Sequence, residues 1–389
     1  MSEKEETERS HHELVEELRW EVKPLLDLNP KYDTNFNIER WLKSVEYKKE
    51  EAARNLTRHL KLRGLFDLDN VEENVKETEL VRKYVPIGLV GPTGVDGTFL
   101  VIECMGKADP AGLVQSIQGV SMLLQRWKFM EKVLRIMNEQ EKETKKMSGA
   151  IYVVDLDGME FDPALIPIAT GPFRIFWDRV GENYPEWIRK FVVINSPTFM
   201  NVIWKALGPL LPEITKTKIS FLGENWKEEL LEYVKPERLP EHWGGTLKDE
   251  NGDPTFRSQI VIPEGKIPQS LYWVPGQNGD PKPSDLNTVT VPAGGSELLS
   301  FYVMDPAFLT FWFQGDQEYT VGILFSEDPK VADRGAMEEV FPVMEFPGLP
   351  SVDRFESEVP KTRSLPRQTG QRESVDLVRG RELQGGLHR

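Results

Sequence analysis

The sequence predicts an α/β chain: an N-terminal helical subdomain, a mainly parallel sheet covered by helices, then a small all-β sandwich and a disordered tail. Three observations carry this. Apolar runs at Thr98–Met105, Ala150–Asp155, Phe191–Ile194 and Ile219–Leu222 alternate with stretches of helical spacing, the pattern of βαβ units whose strands are covered on both faces. Composition shifts at Gly244, and Lys248–Asp285 is rich in Pro, Gly, Asn and Asp, which marks irregular connection. Beyond it, Thr288–Pro292, Glu297–Met304, Leu309–Gln314 and Tyr319–Phe325 are β-rich and separated by turn residues, as in an antiparallel sandwich.

Ser2–Glu21 is rich in glutamate and reads as an exposed helix or a frayed end. Phe36, Trp41, Leu42 and Val45, then Ala52, Leu56 and Leu60, recur at helical spacing and predict two helices with a break near Tyr47. Pro110–Lys146 reads as a helix in two pieces, and Pro163–Asn183 as a helix interrupted at Gly171-Pro172. Ser196–Leu207 is helical, with Ser196 as N-cap and Pro197 at the first helical position, where its missing N–H costs nothing. Trp226–Val234 is the next helix, and Ser351–Arg389 is polar, arginine-rich and poor in bulky apolar residues, hence disordered. The division that follows is an acidic segment at 1–30, a helical subdomain at 31–75, the α/β domain at 76–247, a linker at 248–285, the β unit at 286–347 and the tail at 348–389.

Composition narrows the function. The chain has 389 residues and a formal net charge of −15, which disfavours general binding to nucleic acid, where phosphates must be neutralised. The longest apolar run, Ala150–Val154, is far short of the roughly 20 residues of a spanning helix. Met1–Ser10 has no apolar core of the kind a secretory signal needs, so the cytosol is the expected compartment. Cys104 is the only cysteine, which excludes an internal disulfide and a cysteine-rich zinc site. Of the five histidines only His59 and His242 lie away from the termini, far apart in sequence.

Motifs for catalysis are missing. The glycines of Gly91–Gly97 precede a strand and contain neither a P-loop nor a dinucleotide fingerprint, so they read as a turn. No G-x-S-x-G elbow occurs. Asp155 and Asp157 end a strand, where α/β enzymes keep functional groups, but capping and turn formation around Gly158 account for them better than a metal.

The stretch Ser196–Leu211 stands out. Phe199, Met200, Val202, Ile203, Trp204, Leu207, Leu210 and Leu211 leave only Asn201 and Lys205 as polar interruptions within the helix. A helix apolar all round either fills a core or faces something greasy. Composition alone favours the core; the alternative is a movable lid between a lipid cavity and a bilayer, with Gly208-Pro209 and Pro212 as a hinge or as an ordinary helix stop.

The run NYPEWIRKFVVINSPTFMNVIWKALGPLLPEITKTKISFLGENWKEELLEYVKPERLPEHWGGTL, Asn183–Leu247, closely resembles the C-terminal half of a CRAL-TRIO lipid-binding domain of the Sec-fourteen-like type. Asp155-Leu156-Asp157-Gly158 fits that family's D-x-x-G, and Arg40-Trp41-Leu42 its R-[FW]-L in the helical subdomain. The β-rich part after Leu286 resembles a GOLD (Golgi dynamics) domain, without the P-G-x-Y-x-x-x-F-D-N pattern of its closing strands, so that it reads as incomplete and marginally stable. The resemblance implies a protein that cages one lipid over a sheet floor and exchanges it at membranes, with Thr198–Leu211 as the gate. It implies no catalytic group and no cofactor besides the bound lipid.

The resemblance also implies a head-group site at Glu186, Thr215 and Lys218, the positions that contact the inositol phosphate in phosphatidylinositol-binding members. Two cationic partner positions are Trp187 and Val45 here, which weakens anion recognition because arginine binds phosphate bidentately. The positions that contact phosphatidylcholine are Ala150 and Tyr152. The expected ligand is therefore hydrophobic, and the expected partners are a membrane, met transiently, and a protein bound through the GOLD-like part. The competing function is a lipid-sensing trafficking adaptor that works through protein partners; an enzyme ranks last.

Overall fold

Helix-separated apolar runs pair as a parallel ladder because each crossover helix returns the chain to the same end of the sheet. The computed structural model describes residues 3–301, 308–326, 337–358, 373–378 and 383–388. In it β1 (Ile87–Pro92), β2 (Thr98–Glu103), β3 (Gly149–Asp155), β4 (Ile188–Ile194) and β5 (Ile219–Phe221) form one sheet in that order. β1 and β2 are an antiparallel hairpin, and β2 to β5 run parallel. The register sets Val101, Tyr152, Phe191 and Ile219 in one row across the sheet.

Alternation then sorts the side chains. Leu100, Ile102, Ile151, Val153, Val192 and Ile194 face one side, where with Cys104 they pack against Leu230, Val234, Leu239, Trp243 and Ile260. Val101, Glu103, Tyr152, Phe191 and Val193 face the other. β1 departs from the sequence reading, which places a turn at Gly91 and nothing before it. Gly88 admits the approach: a methyl there would overlap the Gln259 carbonyl, and Gly88 bridges Ile260.

The N-terminal helices fall where the periodicity puts them, at Asn35–Ser44 and Lys49–Leu65. Thr34 accepts from the Asn37 N–H at 3.1 Å and starts the first. Glu46 and Tyr47 break the pair with φ of 54° and 62°. Arg40 and Trp41 of the R-[FW]-L motif lock this layer: Arg40 is paired with Glu141, and Trp41 donates to the Tyr32 hydroxyl at 2.8 Å. Arg63 is buried and bonded to Glu131 at 2.6 Å. The acidic Glu3–Glu21 helix is neither frayed nor simply exposed. Val15 and Leu18 are buried in its inner stripe, too sparse among glutamates to stand out in the sequence.

The chain divides into two compact units, Met1–Pro110 with Gln125–Ile166 and Trp177–Ile267, and Ala111–Leu124 with Pro167–Phe176 and Pro268–Arg389. The second takes in two stretches that the sequence assigns to 76–247. Polar contacts within the unit explain this: Ser351 donates to the Ile117 carbonyl at 2.6 Å, and Arg174 pairs with Glu318 at 3.1 Å. Its strands are β6 (Asn287–Val289), β7 (Glu297–Phe301), β8 (Phe308–Gly315), β9 (Tyr319–Phe325), β10 (Glu338–Phe346), β11 (Asp353–Glu358), β12 (Glu373–Val378) and β13 (Leu383–His388). They make two antiparallel sheets, β10-β9-β12-β7 and β11-β8-β13-β6.

This corrects two expectations. The 348–389 segment is not disordered throughout, and it supplies strands that the β unit was expected to lack. β11 is hard to read because its inward positions alternate between Asp353 and Phe355, so its buried face carries a carboxyl group. Residues 302–307, which take in the end of the second β-rich run, and 359–372, 379–382 and 389 of the tail lie outside the described residues.

Candidate functional site

The end of β4 leads into the segment that the sequence marks as a gate. Its helix is shorter than expected, Met200–Leu207, and begins with Phe199 at the N-cap rather than Ser196. Pro197 closes a turn by accepting from Met200 N–H at 2.9 Å, so the chain turns before it coils. A 3-10 turn at Gly208–Leu210 ends it. Of the helix only Ile203 is buried. Met200, Trp204 and Leu207, with Phe199 and Leu211 beside the helix, are half-buried. The core-filling reading of this helix therefore fails.

What surrounds it is apolar and open. Phe161, Val202, Leu210, Ile214 and Phe221 each leave between 43% and 64% of their surface in solvent. Phe161 stands edge-on to Phe199 with centroids 5.4 Å apart, and Trp204 edge-on to Phe221 at 5.2 Å. Scattered exposed leucines mean little, but a set of large apolar side chains on one helix and its neighbours is a candidate interaction surface. No helix among the described residues is long and apolar enough to cross a membrane.

The three head-group positions come together in part. Lys218 Nζ lies 2.8 Å from Glu186 Oε1, and Lys43 Nζ reaches the other oxygen at 3.3 Å. Burial by itself raises the Glu186 pKa, but the pairing with Lys218 and then Lys43 outweighs it and holds the carboxylate below its ordinary range. Glu186 sits at φ 55°, in the turn that enters β4. Thr215 lies one helical turn from Lys218, whose N–H donates to its carbonyl at 3.1 Å. Trp187 is buried, so this departure fills the core instead of lining the site. Val45 follows the Asn35–Ser44 helix as its C-cap, and it is Lys43, two residues earlier, that pairs with Glu186. Lys43 went unread because its partner is distant in sequence and no local spacing announces the pair.

Asp155 and Asp157 are occupied structurally. Asp155 accepts from Trp243 Nε1 at 2.9 Å, Asn195 Nδ2 at 2.8 Å and the Asp157 N–H at 3.0 Å. Asp157 pairs with Lys107 at 2.9 Å. Among the described residues no group of three or more His, Cys, Asp or Glu side chains is arranged to hold a metal.

On the Tyr152 face of the sheet lies a polar cluster that sequence reasoning did not foresee. Ala150 is buried and offers no polar atom, but Tyr152 donates to Glu103 and accepts from Arg126 Nη2 at 2.9 Å. The Arg126 guanidinium stands 4.6 Å over the Trp177 ring. Tyr152, Trp177 and Phe191 pack together with centroids 5.3 to 5.4 Å apart. β5 continues the same face: Phe221, which carries Trp204, is in register with Val193. Through Trp204 the Met200–Leu207 helix touches the edge strand of the face that holds the polar cluster.

Comparison with known proteins agrees with the resemblance seen in the sequence. A CRAL/TRIO domain matches residues 97–245, and a domain of unknown function matches residues 7–71. The C-terminal residues 271–363 match a family described as "F28H7_8_C:-like, C-terminal domain", a different description from the GOLD domain that the sequence suggests. The CRAL-TRIO domain-containing protein F28H7.8 of Caenorhabditis elegans is 35% identical over 88% of this chain and 82% of its own. Protein ctg-1 of the same organism is 26% identical over 78% of this chain and 77% of its own. The crystal structure of Sfh5 aligns at 16% identity and a TM-score of 0.48 over 66% of this chain and 94% of that one. With a relative more than one-third identical along most of both chains, and with its domain model lying over the sheet and the Met200–Leu207 helix, this chain belongs to the CRAL-TRIO family, known for lipid binding and transfer.

Proposed function

We propose that the protein carries a lipid. It cages one hydrophobic ligand between the Tyr152 face of the sheet and the gate, and exchanges it at membranes that it visits from the cytosol. The observation that carries this is the exposed apolar set around the Met200–Leu207 helix, with Trp204 half-buried against Phe221 while Val202 and Leu210 face out. Each methylene buried is worth about 0.8 kcal/mol, so a long acyl or prenyl chain is held without any catalytic group. No cofactor besides the lipid is assigned.

Glu186, Thr215 and Lys218, with Lys43, are the second place for a polar head. A phosphate there would take the two lysines from Glu186, and the two positions filled by Trp187 and Val45 offer it no further cation. The competing reading, a trafficking adaptor that binds a protein through the GOLD-like C-terminal unit, draws on the extent of that unit's paired strands.

Mass spectrometry of an organic extract of the purified protein tests the carrier. One stoichiometric lipid is expected. A protein that stays empty after incubation with mixed vesicles, while binding a protein partner stably, would replace the carrier with the adaptor.

A further inference from the structure

Burying an arginine and a glutamate on an apolar sheet face is costly, and an apolar pair of the same size would serve packing better. The Glu103, Tyr152 and Arg126 cluster stands on such a face, among Val101, Phe191 and Trp177. Glu103 is 6% exposed and Tyr152 0%.

The cluster is incompletely satisfied. Among the described residues Glu103 uses only Oε2, toward Tyr152, and Arg126 makes one hydrogen bond, from Nη2. The Tyr152 hydroxyl is saturated, because it donates to one neighbour and accepts from the other. Elsewhere in the protein, unpaired guanidinium nitrogens such as Arg40 Nε and Arg63 Nε are sealed from solvent; Glu103 Oε1 and the other Arg126 nitrogens are not among the sealed atoms. An acceptor and several donors therefore remain open on that face. The formal charges of Glu103 and Arg126 cancel, so a phosphate or carboxylate placed there gains from Arg126 and loses to Glu103. A hydroxyl meets both: its oxygen accepts from Arg126 and its proton goes to Glu103 Oε1.

We infer that Arg126, Tyr152 and Glu103 form the polar anchor of the cage, and that the anchor selects an uncharged lipid alcohol with its hydroxyl inward. This deepens the carrier function proposed above and rests on it. The chain of such a ligand runs over Phe191 and Val193 toward Trp204, so a charged head group is not required at Glu186 and Lys218.

The test uses delipidated full-length protein and three pyrene-labelled probes of equal chain length: dodecanol, its methyl ether and dodecanoic acid. The wild type is expected to bind the alcohol about tenfold more tightly than either analogue, as the loss of one or two buried hydrogen bonds requires. Glu103→Gln removes the balancing charge and is expected to shift the preference about tenfold toward the acid. Binding of all three probes with equal affinity, or preference of the wild type for the acid, would overturn the anchor and leave the carrier standing. Failure of every probe to bind would overturn the carrier and the anchor with it. The wild-type comparison decides the matter even if the variant does not fold.

Discussion

Trp243 Nε1 donates to Asp155 Oδ2 at 2.9 Å, and this bond joins two sequence motifs that stand 88 residues apart. The D-x-x-G stretch ends β3, and the W-G-G-T stretch closes the layer packed beneath the sheet. Its glycines are explained by the same corner: Gly244 has φ 96°, and a methyl at Gly245 would overlap the Leu239 carbonyl. Asp155→Ala is expected to destabilise the protein by about 3 kcal/mol, because it strands the Trp243 and Asn195 donors in a buried corner. Asp155→Asn, which keeps an acceptor, should cost less. Urea unfolding of the two variants checks the order; equal midpoints for both and the wild type would mean that the corner is not held by this carboxylate.

Trp204→Asp separates transfer from folding. Trp204 is half-buried against Phe221, so a carboxylate there is set against the apolar surface of the proposed gate. Lipid transfer between vesicles is expected to fall at least about tenfold, since a charge costs several kcal/mol in an apolar phase. The melting temperature should move by only a few degrees. Unchanged transfer would remove this helix from the exchange path.

Glu186 governs the charge of the proposed head-group site at Lys218 and Lys43. Its pKa is lowered, so its pairing with Lys218 and Lys43 is fully present above the ordinary carboxylate range and is lost as pH falls through the lowered value. Glu186→Gln frees both lysines and is expected to raise binding to phosphoinositide-containing vesicles at low salt, with the gain screened near physiological ionic strength. Co-sedimentation at two salt concentrations reads this. A fall in binding would mean that Glu186 itself holds the ligand.

Asp353 makes the C-terminal unit sensitive in the opposite direction. Burial pushes its carboxyl up to about 7, although the Val120 and Gly119 backbone and Tyr319 oppose the shift. A folded-state value above the unfolded one contributes stability that is complete below the unfolded value, near 4, and is lost as pH rises through about 7. The unit should therefore be more stable at pH 5 than at pH 8, by a few kcal/mol at most. Asp353→Asn, which keeps an acceptor for the Val120 N–H, should flatten that difference. Thermal melts across this range check it, and an unaltered slope in the variant would assign the effect to another group.

Much of the sheet was legible because its signal is local. A run such as Phe191–Ile194 is apolar on both faces, the pattern of a strand covered by helices on both sides. The break at Glu46 and Tyr47 and the π turn at Ala169–Phe173, which contains Pro172, were legible from spacing and from proline for the same reason. What escaped depends on partners far along the chain. β1 is diluted by glycine, and β10 contains Pro342, tolerated because it lies at the edge of its sheet. The site divides in the same way. The gate announces itself by composition, while Lys43 on Glu186 and Arg126 on Tyr152 arise only when separate helices meet the sheet.

The solitary thiol has a practical consequence. Cys104 lies in the core beneath β2, and burial pushes it up to about 12, which leaves about one molecule in 100,000 as thiolate at pH 7. Alkylating reagents therefore find almost nothing to attack on the native chain. A cysteine placed at the exposed Val202 or Leu210 would be the one site that maleimide chemistry sees, with no background mutation to remove. An environment-sensitive dye at either position would report, in the otherwise unaltered protein, whether the helix leaves water when vesicles are added.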